Sequence, residues 1–398
     1  MTPAGVATPT GAVAPGGMPA AAGGVDVAGA LTSVVPGIRK IKKEVISKAI
    51  PAEGGPVQIE LPKSSYMSRA MIRISGKIKF TQGAAKKAVT AVDPRNFINR
   101  FEFALSGSTS PRVLTGIQSD VIDGLDLPAI APNLQVYAVA EPEANNTIEK
   151  EFSLEMSPSF VISPQNLYGI PYLGAPSTVP EFNFVFGNPR GTLAKMEESA
   201  GNSVTLVGGL VEVYLERIDL PAPVMPRVVQ SQQGNQTVTT QIPGQGLYLE
   251  AGYMILSRMY EEQKPTANGN KSFQLPIGPD YTRIIILAFT ERGVLDPETA
   301  PMLKEAKLTV QQVTAIESKK PWHFSNEYRH MYNKERPKGV YVFSGIDETG
   351  TDADLYVTRE LGNFTLEIEN TANAVGAEAV YQVVTQQLLP LSEPGLYL

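Results

Sequence analysis

Asp219-Leu220-Pro221-Ala222-Pro223-Val224-Met225-Pro226 divides this chain into two flanks of one texture. Its prolines fix φ and remove backbone donors, so neither a helix nor a central strand runs through the segment. Both flanks show short alternating apolar runs, frequent Gly and Pro, and few helical periods. The stretch therefore reads as part of a linker, residues 221–245, between two β-domains of one kind, residues 55–220 and 246–398.

Working outward into the first flank, Val57-Gln58-Ile59-Glu60-Leu61 opens the domain. Its clearest strand follows: Ala70, Ile72, Ile74, Ile78 and Phe80 alternate with Arg69, Arg73, Lys77 and Lys79. Period two over this length puts one face in a core and the other in water or against a partner. Phe101, Phe103 and Leu105 mark another strand, and Val113, Ile117 and Val121 suggest a short helical turn. Further runs are Leu134 to Val139, Ile148 to Met156, Phe182 to Phe186, and Ser203 to Leu215, where Gly208-Gly209 suggests a bulge or two shorter strands.

The second flank repeats this with Gly246 to Glu250, Phe273 to Ile277, Arg283 to Thr290, Leu308 to Thr314, Val340 to Phe343, Asp354 to Val357, Phe364 to Ile368 and Val380 to Leu388. One helix, Trp322 to Lys334, interrupts them. A faint echo links the flanks. Val57 to Pro62 precedes Ser68-Arg69 and a long strand, as Phe273 to Pro276 precedes Thr282-Arg283 and another. Two sets of about eight strands are what two jelly rolls require, so the expected fold is all-β, a double jelly roll.

Length and composition agree. At 398 residues, two domains of ~150–200 residues are expected. Hydrophobic content of 42% with net charge −6 is that of a soluble globular chain and argues against a surface that grips nucleic acid throughout. No cysteine is present, which excludes disulfides and Cys-ligated zinc. No signal peptide is visible, and the most apolar window, Ile284 to Phe289, is far short of the ~20 residues a membrane span needs.

Residues 1–37 are Ala, Gly, Pro, Thr and Val with one charge, Asp26, and read as a flexible arm. Behind it, residues 38–50 place Ile38, Ile41, Val45 and Ala49 on one helical face, with Arg39, Lys40, Lys42, Lys43 and Lys48 on the rest. A basic amphipathic helix is expected there, ended by Pro51. Its cations are candidates for contact with an anionic membrane surface or a neighbouring subunit. The alternative is a helix capping the first β-domain with its lysines in water.

Chemistry is sparse. The two histidines, His323 and His330, lie on the one helix with Glu327 between them, where two His and a carboxylate could face a metal. Such sites converge from several elements, and the neighbouring Trp322, Phe324, Tyr328 and Tyr332 read instead as a helix docked through aromatics. Asp347, Glu348, Asp352 and Asp354 around Gly350 miss the EF-hand order and read as an exposed hairpin loop. No His-x-His pair, phosphate loop or activated serine occurs. No catalytic residue, metal or cofactor is expected.

Pro321-Trp322-His323-Phe324-Ser325-Asn326-Glu327-Tyr328-Arg329-His330, continuing to Arg336-Pro337-Lys338-Gly339-Val340-Tyr341, resembles the second-domain helix and following strand of tectivirus-type major capsid proteins. Asn363 to Ile368, Tyr281 to Phe289 and Tyr214 to Pro221 resemble further segments of that family, in order. The loop Gly345 to Asp354 is longer than the family pattern, and residues 158–180 have no counterpart in it.

The resemblance implies a double jelly-roll capsid protein. Three copies would form a pseudo-hexagonal capsomer of an icosahedral, bacteriophage-like virion, assembled in the host cytoplasm above an internal membrane. Partners would be neighbouring capsomers and minor capsid or vertex proteins, with no sequence-specific nucleic acid. Loops such as Pro158 to Val179 and Gly345 to Asp354 would face outward. A carbohydrate- or receptor-binding viral spike, which would expose aromatic platforms, and a β-rich hydrolase using two carboxylates are the alternatives.

Overall fold

Ile41 to Ala49 is a strand, and it gives the first half of the chain the eighth strand that a jelly roll needs. The computed structural model describes residues 41–63, 66–105, 110–126, 142–158, 171, 173, 179–218, 227–233, 236–242, 253–291, 293–310, 314–345, 355–359, 361–374 and 376–390. The first roll comprises β1 (Ile41–Ala49), β2 (Gly55–Glu60), β3 (Tyr66–Thr81), β4 (Ile98–Ala104), β5 (Arg112–Leu114), β6 (Thr147–Met156), β7 (Glu181–Phe186) and β8 (Ser203–Ile218). The second comprises β9 (Tyr253–Gln263), β10 (Asn270–Gln274), β11 (Asp280–Glu291), β12 (Leu303–Val310), β13 (Thr314–Lys319), β14 (Val340–Ser344), β15 (Phe364–Asn370) and β16 (Val380–Pro390).

In the first roll the sheets run β1-β8-β3-β6 and β2-β7-β4-β5. In the second they run β9-β16-β11-β14 and β10-β15-β12-β13. Adding eight to each label turns one order into the other, so the two rolls share one topology. Each also has its longer helix in the same place. Helix α1 (Gly116–Asp126) joins β5 to β6, and α2 (Pro321–Tyr332) joins β13 to β14.

The sequence echo falls on equivalent strands, β2 with β10 and β3 with β11. It also marks a shared irregularity. Ser68 is skipped where β3 pairs with β8, between Glu216↔Arg69 and Arg217↔Met67. Thr282 is skipped where β11 pairs with β16, between Tyr281↔Gln387 and Arg283↔Gln386. An extra residue at one site in both strands fixes the residue-by-residue alignment of the rolls.

The cores follow the alternation. Ile72, Ile74, Ile78 and Phe80 of β3 face Phe101, Phe103, Phe182, Phe184 and Phe186 across the first roll. Phe101 stacks on Phe184 at 5.1 Å, and Phe184 on Phe186 at 5.6 Å. Ile284, Ile286, Phe364, Leu366 and Ile368 fill the second. Each fully buried side chain of this size contributes ~1.5–3 kcal/mol. The expected bulge at Gly208-Gly209 is present, since the β8–β3 ladder shifts between Val207 and Leu210 and Gly208 takes φ +62°.

The run Arg336 to Tyr341 is fixed by packing. Arg336 is buried over the Tyr341 ring, 4.4 Å from its centroid, and donates to Val340 O at 2.7 Å and Glu298 Oε2 at 2.8 Å. Gly339 has φ +73°, and a Cβ there would lie 2.8 Å from Asp296 N. No side chain fits that turn.

The basic helix expected over residues 38–50 is not formed within 41–49. The ladder from Ile41↔Ile218 to Ala49↔Leu210 pairs the segment with β8 along its whole length, and Ile46 packs against the first core. An isolated helix this short is marginal, whereas β-branched Ile41, Val45 and Ile46 suit a sheet. Lys42 and Lys43 are consecutive strand positions. Lys48 Nζ donates to Gln58 O at 2.7 Å, tying β1 to β2. Arg39 and Lys40 lie outside the described residues.

The linker expected over 221–245 contains a hairpin, Arg227–Gln233 paired with Gln236–Ile242. The first described strand of the first roll starts at Ile41, ahead of residue 55, and that of the second at Tyr253. The arm 1–37, the stretch Asp219 to Pro226, the runs Leu134 to Val139 and Gly246 to Glu250, and most of the loops Pro158 to Val179 and Gly345 to Asp354 lie outside the described residues.

Removal of residues 1–40 sets the reference midpoint for thermal unfolding followed by circular dichroism. Removing 1–49 is expected to lower the midpoint sharply, because β8 loses its partner and Ile46 leaves the core.

Candidate functional site

The arrangement with most consequence is the seam between the rolls, which lie in one compact unit. Strand β5, the edge of one first-roll sheet, pairs in parallel with β9, the edge of a second-roll sheet, through Ser257↔Arg112 and Arg258↔Val113. Ser257 N donates to Pro111 O at 2.8 Å. One sheet thereby continues from the first roll into the second.

Helix α1 lies over this junction. Leu114, Ile117, Val121, Ile122 and Leu125 form one apolar cluster with Ile285, Leu287, Phe289, Val340, Val342, Val380 and Val384. Those second-roll residues belong to the outer face of the sheet β9-β16-β11-β14, the face turned away from its own core. A sheet with apolar residues on both faces needs a cover on each, and α1 supplies the outer one.

The polar side of α1 is as specific. Asp120, Asp123 and Asp126 recur every three residues, and each meets an arginine from a different element. Arg95, in the 3-10 turn Pro94–Phe97, holds Asp120 at 2.5 Å. Arg112 of β5 holds Asp123 and donates to Ser119 Oγ at 2.8 Å. Arg283 of β11 holds Asp126 across the seam and, within its own roll, donates to Gln386 Oε1 at 2.8 Å. Gln118 Nε2 donates to Gln382 Oε1 at 2.8 Å, a second contact across the seam.

Burial dominates the titration of two of these acids. It pushes the Asp123 carboxyl up to about 7, against the pull of Arg112. It raises Asp120 as well, opposed by Arg95. Reading the sequence for chemistry passed over these residues. The available signal was Asp120-x-x-Asp123-x-x-Asp126 set among Ile117, Val121, Ile122 and Leu125, a helix with one acidic and one apolar stripe.

The histidine constellation does not assemble. His323 accepts the Lys320 backbone N–H through Nδ1 at 3.3 Å, Glu327 pairs with Lys319 at 2.5 Å, and His330 is exposed. Phe324 and Tyr328 are the buried residues of α2, as aromatic docking of that helix requires. Among the described residues no group of three or more His, Asp or Glu could hold a metal ion. The acidic cluster Asp347 to Asp354 lies outside them. Of the candidate contact cations, Lys42, Lys43 and Lys48 sit on β1, the edge strand of its sheet.

Two jelly rolls of equal topology, joined edge to edge in one chain, define the double jelly-roll fold. Solved structures share it. The chain matches the Sulfolobus Turreted Icosahedral Virus structure with a TM-score of 0.53 at 11% identity, over 87% of this chain and 92% of that one. It matches a chain of the PBCV-1 virus capsid with a TM-score of 0.52 at 10% identity, over 88% and 94%. It matches the Faustovirus major capsid protein with a TM-score of 0.50 at 7% identity, over 88% and 90%. No protein-family profile and no curated protein sequence matches the chain.

Two outcomes test the seam. Asp126→Ala alone, which leaves buried Arg283 without its carboxylate, is expected to cost ~3–5 kcal/mol in denaturant unfolding, and pairing it with Arg283→Met to recover much of that loss. For Asp123, the folded chain keeps its proton to higher pH than the unfolded chain, whose carboxyl titrates at ~3.9. The neutral form therefore adds stability that is full below about pH 4 and is lost as pH rises through about 7. Asp123→Asn is expected to gain stability relative to the parent between pH 5 and pH 8, read as the difference in urea midpoints.

Proposed function

We propose that this chain is the major capsid protein of an icosahedral virus and that three copies form a pseudo-hexagonal capsomer. The observation that carries the reading is the repeated strand order with an edge-to-edge seam. A ring of six such rolls from three chains has nearly sixfold sides while needing one gene product. Major capsid proteins of other icosahedral viruses share the fold, as the Faustovirus match illustrates. On this reading the chain resides in the virion, and its partners are other copies of itself, neighbouring capsomers and vertex proteins.

Two features favour a structural role over the alternatives. The polar residues gathered at the seam are engaged in holding α1, so the chemistry of that site is cohesion. Among the described residues Trp322 is the large aromatic side chain that stands exposed, whereas a glycan-binding spike would present a platform of several.

The test is the mass of the purified full chain by size-exclusion chromatography with light scattering. A stable particle of three times the chain mass, six-lobed in electron micrographs, is the expected result. A monodisperse monomer at micromolar concentration would overturn the proposal.

A further inference from the structure

The seam inside one chain joins elements that each have a counterpart in the other roll. Among the described residues, the equivalent elements that would repeat it are present, with their strands at sheet edges. Within the chain, the first-roll edge β5 and helix α1 meet β9 and the outer face of β9-β16-β11-β14. Carried one roll further, the second-roll edge β13 and helix α2 would meet β1 and the outer face of β1-β8-β3-β6. Both β13 and β1 are edge strands of their sheets.

Side-chain exposure follows this pattern. Helix α1 starts two residues after Leu114 and α2 two residues after Lys319, so the helices align from their first residues. Trp322 then takes the place of Ile117. Ile117 is buried against the second roll, whereas Trp322 is 58% exposed. Eight residues of α1 are buried against two of α2, Phe324 and Tyr328. Next to α2, Ile316 on β13 is 50% exposed.

The opposite surface answers in kind. The shared skipped residue aligns Arg69-Glu216-Lys43 with Arg283-Gln386-Ser257 across three strands. Two steps along, Met71, Tyr214 and Val45 stand where Ile285, Val384 and Met259 stand in the second roll. Of the second-roll row, Ile285 and Val384 are covered at the seam, whereas Met259 is 43% exposed, as Val45 is at 61%. An apolar row on an otherwise charged sheet face, reached by an exposed tryptophan at the matching place, is how an unmade interface looks.

We infer that neighbouring copies join by repeating the seam: β13 of one copy adds in parallel to β1 of the next, and α2 lies over Met71 and Tyr214. The inference rests on the capsomer reading and names its contact. The occupant is a second copy of this chain. By the alignment, Glu317 takes the place of Arg112 and Lys43 that of Ser257, so these two residues face each other between copies.

The absence of cysteine makes the test direct. Lys43→Cys with Glu317→Cys in one full-length chain, mildly oxidised, is expected to give disulfide-linked dimers and closed trimers on a non-reducing gel. Either substitution alone is expected to give none. A particle of trimer mass that does not cross-link would overturn this contact and leave the capsomer proposal standing, whereas a monomeric parent chain would overturn both. Independently, Trp322→Ala and Met71→Asp are each expected to raise the trimer dissociation constant about tenfold or more without lowering the melting of the separated chains. An unchanged constant for both would also overturn the inference.

Discussion

Everything in this molecule turns on one helix that has to satisfy two rolls at once. The second roll has a sheet apolar on both sides, because Ile284 and Ile286 point into its core while Ile285 and Leu287 point away from it. Left alone, such a sheet would bind whatever apolar surface came near. Helix α1 removes that exposure with Ile117, Val121, Ile122 and Leu125, and its three aspartates bind arginines from three different elements. The apolar stripe supplies most of the attraction. The charged stripe supplies position, since a slipped helix would leave buried ions without partners.

That division of labour explains why the two halves are alike in topology and unlike in surface. The first roll lends a helix to the second and, among the described residues, has none in return. Its outer sheet face is therefore written mostly in charges, with Arg73 and Lys77 of β3 opposite Glu155 and Glu151 of β6. In the second roll α2 buries Phe324 edge-to-face against Tyr341 and Phe343 and adds Tyr328 to the apolar cluster under α1, while Trp322 stands outside. Duplication produced equal frameworks, and position in the chain decided which surfaces were finished internally.

Much of this was legible in the residues. The alternation in β3, β11 and β15 is period two with large apolar side chains, and no other arrangement buries them. The Pro62 and Pro276 echo located equivalent strands without any structure. Strand β1 was not legible, because Ile38, Ile41, Val45 and Ala49 fit a helical period as well as a ladder, and the deciding partner, β8, is far away in sequence. Helix α1 was read as a short turn because its aspartates interrupt the apolar run. Those aspartates answer to partners such as Arg283, 157 residues distant, and a local window contains nothing of that kind.

The residues passed over by the ladders at Ser68 and Thr282 bear on where such a chain came from. An added residue in a strand swaps inside for outside beyond it, so it persists only if everything downstream is already arranged to suit. Finding it at one site in both halves points to a single ancestral roll that carried the irregularity before its gene was copied and joined end to end. Two unrelated rolls recruited separately would have had no reason to share it.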